Sequence, residues 1–166
     1  MKTRASFIAV GDIFMTRRLP EAGYAGLEPL ARLIRQSDVR FANLEMTVHD
    51  REATPFSFSG GTWAMGPSAA LDDLSRYGFN LYNTANNHAM DYSHDGLLTT
   101  LRHLESRRLA AAGTGRNLAD ASAPVYLECP QARVAMIGVT ASFHESWMAG
   151  NQRVDMVGRP GVNHLR

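Results

Sequence analysis

Three short apolar runs, each closed by metal-ligand or hydrogen-bonding side chains and each adjoining a stretch of helical period, restrict this chain to a fold of repeating β-α units. The run Ser6-Phe7-Ile8-Ala9-Val10 ends at Gly11-Asp12 and reads as a buried strand with a carboxylate at its exit. Residues 39–45 are rich in β-branched and aromatic side chains and read as a second strand, with Asn43 and Glu45 at its far end. The third run, residues 79–83, leads into Thr84-Ala85-Asn86-Asn87-His88-Ala89-Met90-Asp91-Tyr92, the most ligand-rich stretch of the chain. Helical patterns separate the runs. Leu30, Leu33 and Ile34 mark an amphipathic helix over 28–36, with Pro29 near its first turn, where proline is tolerated. Pro67 opens a second helix with Ala70, Leu71, Leu74 and Tyr77 on one face and Gly78 as a left-handed stop. Leu97, Leu98, Leu101 and Leu104 carry a third to about Arg108, placing Arg107 and Arg108 where the helix dipole favours cations.

Parallel strands joined by right-handed crossovers present their carboxyl ends on one edge, so Asp12, Glu45, Asn87 and His88 are expected to converge on one pocket although distant in sequence. Each feature alone has a plainer reading. Gly11-Asp12 can be a turn, and the Asn86-Asn87 pair another, with Asp91 or Ser93 capping the following helix. Carboxylates, an amide oxygen and an imidazole together are hard-to-borderline ligands suited to Mg²⁺, Mn²⁺, Fe²⁺ or Zn²⁺, which points to a hydrolytic metal site. The sequence has no Gly-x-Ser-x-Gly elbow, no Walker lysine loop and no reactive context around its single cysteine, Cys129.

Elsewhere the pattern is less regular. Residues 47–66 have no helical period, and 56–60 read as a short edge strand or a substrate-facing loop, with Phe56, Phe58 and Trp63 as an alternative satellite core. Residues 109–112 form a short strand before Gly113-Thr114-Gly115, which lacks the third glycine of a dinucleotide fingerprint. Residues 125–128 and 133–139 flank a turn at Cys129-Pro130-Gln131-Ala132 and read as an antiparallel hairpin. The tail from Thr140, with His144 and His164, shows no clear period. His103 is expected to be a surface or packing residue, whereas His94, in the first turn of its helix, lies nearer the predicted pocket.

At 166 residues, 45% hydrophobic and 20% charged, the chain matches a single folded domain. A net charge of +1 without a concentrated basic segment gives no support for nucleic-acid binding. The basic start Met1-Lys2-Thr3-Arg4 is followed by an apolar stretch cut at Gly11-Asp12, too soon for a signal-peptide core, and no segment is long enough to span a bilayer. A cytoplasmic location is the expectation.

At Gly11-Asp12, Asn43-Leu44-Glu45, Ala85-Asn86-Asn87-His88, Met90-Asp91-Tyr92 through Gly96-Leu97, and Gly113-Thr114-Gly115-Arg116-Asn117 with Ala121 and Pro124, the sequence resembles the bacterial capsule-synthesis CapA family. These are also called poly-gamma-glutamate synthesis proteins, and their domain is similar to the calcineurin-like metallophosphoesterases. The resemblance implies an α/β class, with a partial α/β/β/α sandwich of β-α units followed by an antiparallel hairpin. It also implies that Asp12, Glu45 and Asn87 hold one or two divalent metals (Mn, Fe, Zn or Mg) and that His88 protonates a leaving oxygen. Arg17, Asn86 and Asp91 are the candidate substrate contacts. Two functions follow as expectations: a phosphoester hydrolase linked to capsule or poly-gamma-glutamate synthesis, or a non-catalytic module holding an anionic polymer with arginines such as Arg17 and Arg18. The family is longer, with later histidine motifs absent here, so residues 1–166 are expected to form the N-terminal half of such a domain. Weak metal binding and self-association are then expected, and family members can be envelope-associated.

Overall fold

The alternation of apolar runs and helical periods becomes a four-stranded parallel sheet with helices between the strands. The computed structural model describes residues 4–59 and 61–165; the basic start at 1–3, Gly60 of the proposed 56–60 segment, and Arg166 lie outside it. In chain order the elements are β1 (Phe7–Ile13), α1 (Leu27–Ile34), β2 (Val39–Leu44), β3 (Thr47–Val48), β4 (Met65–Gly66), α2 (Ala70–Tyr77), β5 (Leu81–Asn83) and α3 (Ser93–Ser106). They continue with β6 (Ala110–Ala112), β7 (Thr114–Gly115), α4 (Leu118–Ser122), β8 (Val125–Cys129), β9 (Ala132–Met136), a 3-10 turn at Glu145–Trp147, and β10 (Gly161–Val162). The main sheet has the order β1-β2-β5-β6, all parallel.

Because each crossover steps to the next strand in the same direction, uniform right-handedness puts the three connecting helices on one face. The core agrees. Ala42, Leu44 and Tyr82 from the sheet, flanked by Ile8, Val10 and Ala111, join Leu27 and Ile34 of α1, Leu71 and Leu74 of α2, and Leu104 of α3 in one cluster. The residues of opposite parity, among them Phe7, Ala9, Phe41 and Leu81, face the other side. The hairpin of β8 and β9 packs against β6, and Gly138 just beyond it approaches Asn83 and the Ala112 carbonyl so closely that a Cβ there would collide with both. This face is therefore closed over β5, where Leu81 is 1% exposed, and open over β1, where Phe7 is 59% exposed.

Several expectations change at this level. β1 does not stop at Val10: it runs through Gly11-Asp12 to Ile13, with a register irregularity between Ala9 and Asp12. Nor is it buried, because among the described residues it is an edge strand paired with β2 alone. The 56–59 stretch forms no strand; its Phe56 lies edge-to-face with Trp147 at 6.2 Å. The sheet elements in that region are instead the two-residue strands β3 and β4, paired in parallel. The second helix begins at Ala70, after a turn in which the Ala70 N–H donates to the Pro67 carbonyl, and ends at Gly78 with φ 92°. α3 has no side-chain cap from Asp91 or Ser93. The tail is more ordered than its composition suggests, since β10 pairs antiparallel with β7. Among the described residues no helix is long and apolar enough to cross a membrane.

Candidate metal and hydrolytic site

The site is built on a polar row across three adjacent strands. Asp12 of β1, Asn43 of β2 and Asn83 of β5 are register partners near the carboxyl ends of the parallel sheet. The Asn43 amide donates to Asp12 Oδ1 at 2.7 Å, while its own oxygen accepts from Asn83 Nδ2 at 2.8 Å and from Asn86 Nδ2 at 3.2 Å. Asn43 thus orients one oxygen of the edge-strand carboxylate from inside the sheet. Just past β2, the Glu45 N–H donates to the Ile13 carbonyl at 3.0 Å, which continues the strand pairing and turns Glu45 toward Asp12. Burial is the main cause that raises the Glu45 carboxyl above its ordinary range; the Asp12 charge and a direct contact with that carboxyl raise it further, and the His88 imidazole acts the other way.

The loop after β5 supplies the rest. Asn86, 6% exposed, donates to the Leu44 carbonyl at 2.8 Å, and its oxygen accepts the His88 N–H at 3.1 Å. His88 Nδ1 lies 2.7 Å from Asp91 Oδ2, and the same carboxylate oxygen accepts the buried Ala64 N–H. Phe14 meets the His88 ring edge-to-face at 5.4 Å. The imidazole is therefore held on its Nδ1 side by a carboxylate and packed against an aromatic ring, with Nε2 the nitrogen not engaged by Asp91.

The Glu45 carboxyl lies against that of Asp12 and within the influence of the His88 imidazole. Asn87 is exposed and lines a cavity of about 240 Å³ with Thr62, His88, Asp91 and Trp147. Asn86 and Asp91, read from sequence as substrate contacts, are both buried and bonded within the protein; they hold the loop and the imidazole in place. Arg17 is exposed, on the rim of a separate, mainly apolar cleft of about 680 Å³ between β1 and helices α1 and α2. Phe14 lines that cleft and also contacts His88, so the two spaces adjoin. Arg18 is half exposed, and its guanidinium makes a two-pronged pair with the buried Asp73, at 2.6 and 3.1 Å. His144 bonds Ser146 through Nδ1, and His164 packs beside Phe143, neither at the Asp12–Glu45 pair.

Asn43 and Asn83 are the residues that reading the sequence leaves without a role. Their signal is positional: each falls near the end of a strand in register with Asp12, which becomes visible only once the strands are aligned.

The model of the family described as "Bacterial capsule synthesis protein PGA_cap" matches residues 6–164. Two proteins of Sinorhizobium fredii (strain NBRC 101917 / NGR234), the uncharacterized proteins y4sH and y4uA, are each 34% identical over 164 residues, which is 97% of this chain and 36% of theirs. A capsule biosynthesis protein CapA of Bacillus anthracis is 36% identical over 140 residues, 81% of this chain and 34% of that protein. The chain spans about a third of the length of these curated relatives.

Proposed function

The chain belongs to the bacterial capsule synthesis family, and from that membership together with the site geometry we propose that it carries a divalent-metal-dependent hydrolytic site of the phosphoesterase type, used in making or handling a capsule polymer such as poly-gamma-glutamate. The observation that carries the reading is the facing carboxyl pair Asp12–Glu45 opposite the His88–Asp91 pair. Asp12 and Glu45, with the Asn87 amide oxygen as the third candidate on the neighbouring loop, would offer an oxygen-only donor set, the chemistry that hard and borderline divalent cations select. The Asp12 charge that helps to raise the Glu45 carboxyl fits such a cation, since a positive charge beside Glu45 offsets that repulsion. A bound divalent ion supplies Lewis acidity toward a phosphoryl oxygen and a nucleophilic water at neutral pH.

The remaining work falls to the chain's own side chains. Asn43 fixes the Asp12 carboxylate, and Asn86 fixes the loop that carries Asn87 and His88. Asp91 holds the Nδ1 side of His88 so that Nε2 presents a proton to a departing oxygen in the adjoining cavity. In a chain purified with Mn²⁺, hydrolysis of an aryl phosphate is expected. His88→Asn should spare metal content and lower turnover by about 10²–10⁴-fold, the usual contribution of a positioned general acid. Equal loss of metal and turnover would make His88 a ligand instead.

The alternative is a non-catalytic module that holds an anionic polymer. Polyglutamate binding that disappears in Arg17→Ala, from a protein with no metal-stimulated hydrolysis, would favour it. Exposed Arg17 is then the cation best placed to contribute.

A further inference from the structure

A second group of metal-capable side chains shares no residue with the Asp12–Glu45 site. Asp50 and Glu52, in the loop after β3, and His103, in the later turns of α3, each present one ligand atom, and the three atoms lie within 4.8 Å of one another. The hydrogen bonding around them leaves specific atoms free. Asp50 Oδ1 accepts the Ser68 N–H at 2.9 Å, so Oδ2 is the oxygen left over. Glu52 Oε2 accepts the Asp50 N–H, so Oε1 is left over, and it stands 3.8 Å from His103 Nε2.

That separation is too long for a hydrogen bond. His103 Nε2 is nevertheless buried and has no hydrogen-bond partner, an arrangement that native proteins rarely tolerate without a bound group. Two ligand atoms bound to one ion at about 2.0–2.2 Å each stand about 3–4 Å apart, so the gap has the span of an ion's coordination shell rather than of a hydrogen bond. A second imidazole lies beside the same glutamate. His49 is wholly buried, its Nδ1 accepts the Arg51 N–H and lies 4.0 Å from Glu52 Oε2, and its Nε2 has no hydrogen-bond partner. The His49 nitrogen nearer Glu52 already accepts the Arg51 N–H, so the partnerless nitrogen at the cluster is that of His103.

We propose that Asp50, Glu52 and His103 form a second divalent-cation site, selective for a borderline ion such as Zn²⁺, that clamps the Asp50–Glu52 loop to α3. Two carboxylate oxygens and one imidazole, with water completing the shell, are a normal zinc ligand set. The clamp reinforces an existing link between the same elements, the bond from the Val48 N–H to Thr100 Oγ1 at 2.7 Å. Because α3 follows directly on the His88–Asp91 loop, the ion steadies the helix on which that loop ends.

The test uses the chain with Asp12→Asn and Glu45→Gln, which removes the carboxylate ligands of the proposed hydrolytic site. Titration with Zn²⁺ should still give one equivalent bound with a dissociation constant of about 10 μM or tighter, and Zn²⁺ at about 100 times that constant should raise Tm by roughly 5–10 °C. Adding His103→Gln should weaken binding by at least ~100-fold. Glu52→Gln, at a half-exposed position where folding is not at risk, should do the same. Circular dichroism of the metal-free variants checks that both are folded. Absence of saturable binding below about 1 mM, or unchanged affinity in either added variant, overturns the proposal and leaves an ordinary imidazole–carboxylate contact. Since both carboxylate ligands of the hydrolytic site are already absent, neither outcome bears on the hydrolytic reading.

Discussion

Replacing Asp91 with alanine separates a positioning role from a ligand role. Asp91 is 3% exposed, and one of its oxygens both meets His88 Nδ1 at 2.7 Å and accepts the buried Ala64 N–H. Truncation removes both bonds and leaves the buried Ala64 N–H without its acceptor. An unsatisfied buried N–H is worth about 1–3 kcal/mol and a net side-chain hydrogen bond about 1 kcal/mol, so Asp91→Ala should destabilise the metal-free fold by about 2–4 kcal/mol. For a chain of this size each kcal/mol moves Tm by about 2–4 °C, so a fall of roughly 5–15 °C is expected. Asp91→Asn keeps a carbonyl oxygen for the Ala64 N–H and should lose about half as much. Urea unfolding followed by circular dichroism and fluorescence, with coincident transitions, supplies the free energies. Both variants should keep their metal content while hydrolysis falls through kcat. A Tm within about 2 °C of the parent, or loss of metal with stability intact, would refute this assignment and return Asp91 to the ligand or substrate side of the pocket.

Glu45→Gln should make the metal-free protein more stable at neutral pH. The Glu45 carboxyl is raised by burial and by Asp12, so the folded state holds its proton more tightly than the unfolded state and stability declines as pH rises through the carboxylate range; Tm measured from about pH 3 to 8 should show the variant's advantage at neutral pH shrinking on acidification, and the reverse order would refute it. Asp73 has the opposite sign. The Arg18 hydrogen bonds hold its carboxyl below the ordinary range, so its stabilisation is present above that range and is lost as pH falls. Asp73→Asn should therefore melt lower at neutral pH, by about 1–3 kcal/mol, and show a flatter acid dependence.

The layered fold was legible because its signals are local and redundant. The period of α2 is confirmed by Leu71 and Leu74 in the core, and its end by Gly78, whose φ of 92° suits a residue without a Cβ. The hairpin was legible for the same reason, since β8 and β9 pair closely around Pro130-Gln131. What failed was the burial of β1. Phe7, Ile8 and Val10 look like a core strand in sequence, but sheet order is a long-range property, and it leaves this strand with one neighbour and one open face. The pairing of β7 with β10 was unreadable for a related reason: a two-residue ladder carries no periodicity of its own.

The site was legible by residue type and only partly by role. Asp12, Glu45 and His88 could be grouped as candidates only through topology: each alone has a plainer reading, but parallel strands send their exits to one edge. Amides are harder to divide, because Asn serves equally as ligand, turn former and internal donor. Asn86 and Asn87 are adjacent, yet one is buried against the Leu44 carbonyl and the other faces solvent, a split that depends on which way the loop turns after Asn83. Asn43 makes the point most sharply. It is one polar residue inside a strand, and its work becomes visible only when register sets it between Asp12 and Asn83 and lets it donate to one while accepting from the other. Asp12 is exposed on an edge strand of the sheet, and that inner amide orients one of its oxygens. Orienting partners of this kind govern how well a ligand set performs, and they are written in the register of the sheet rather than in any contiguous motif.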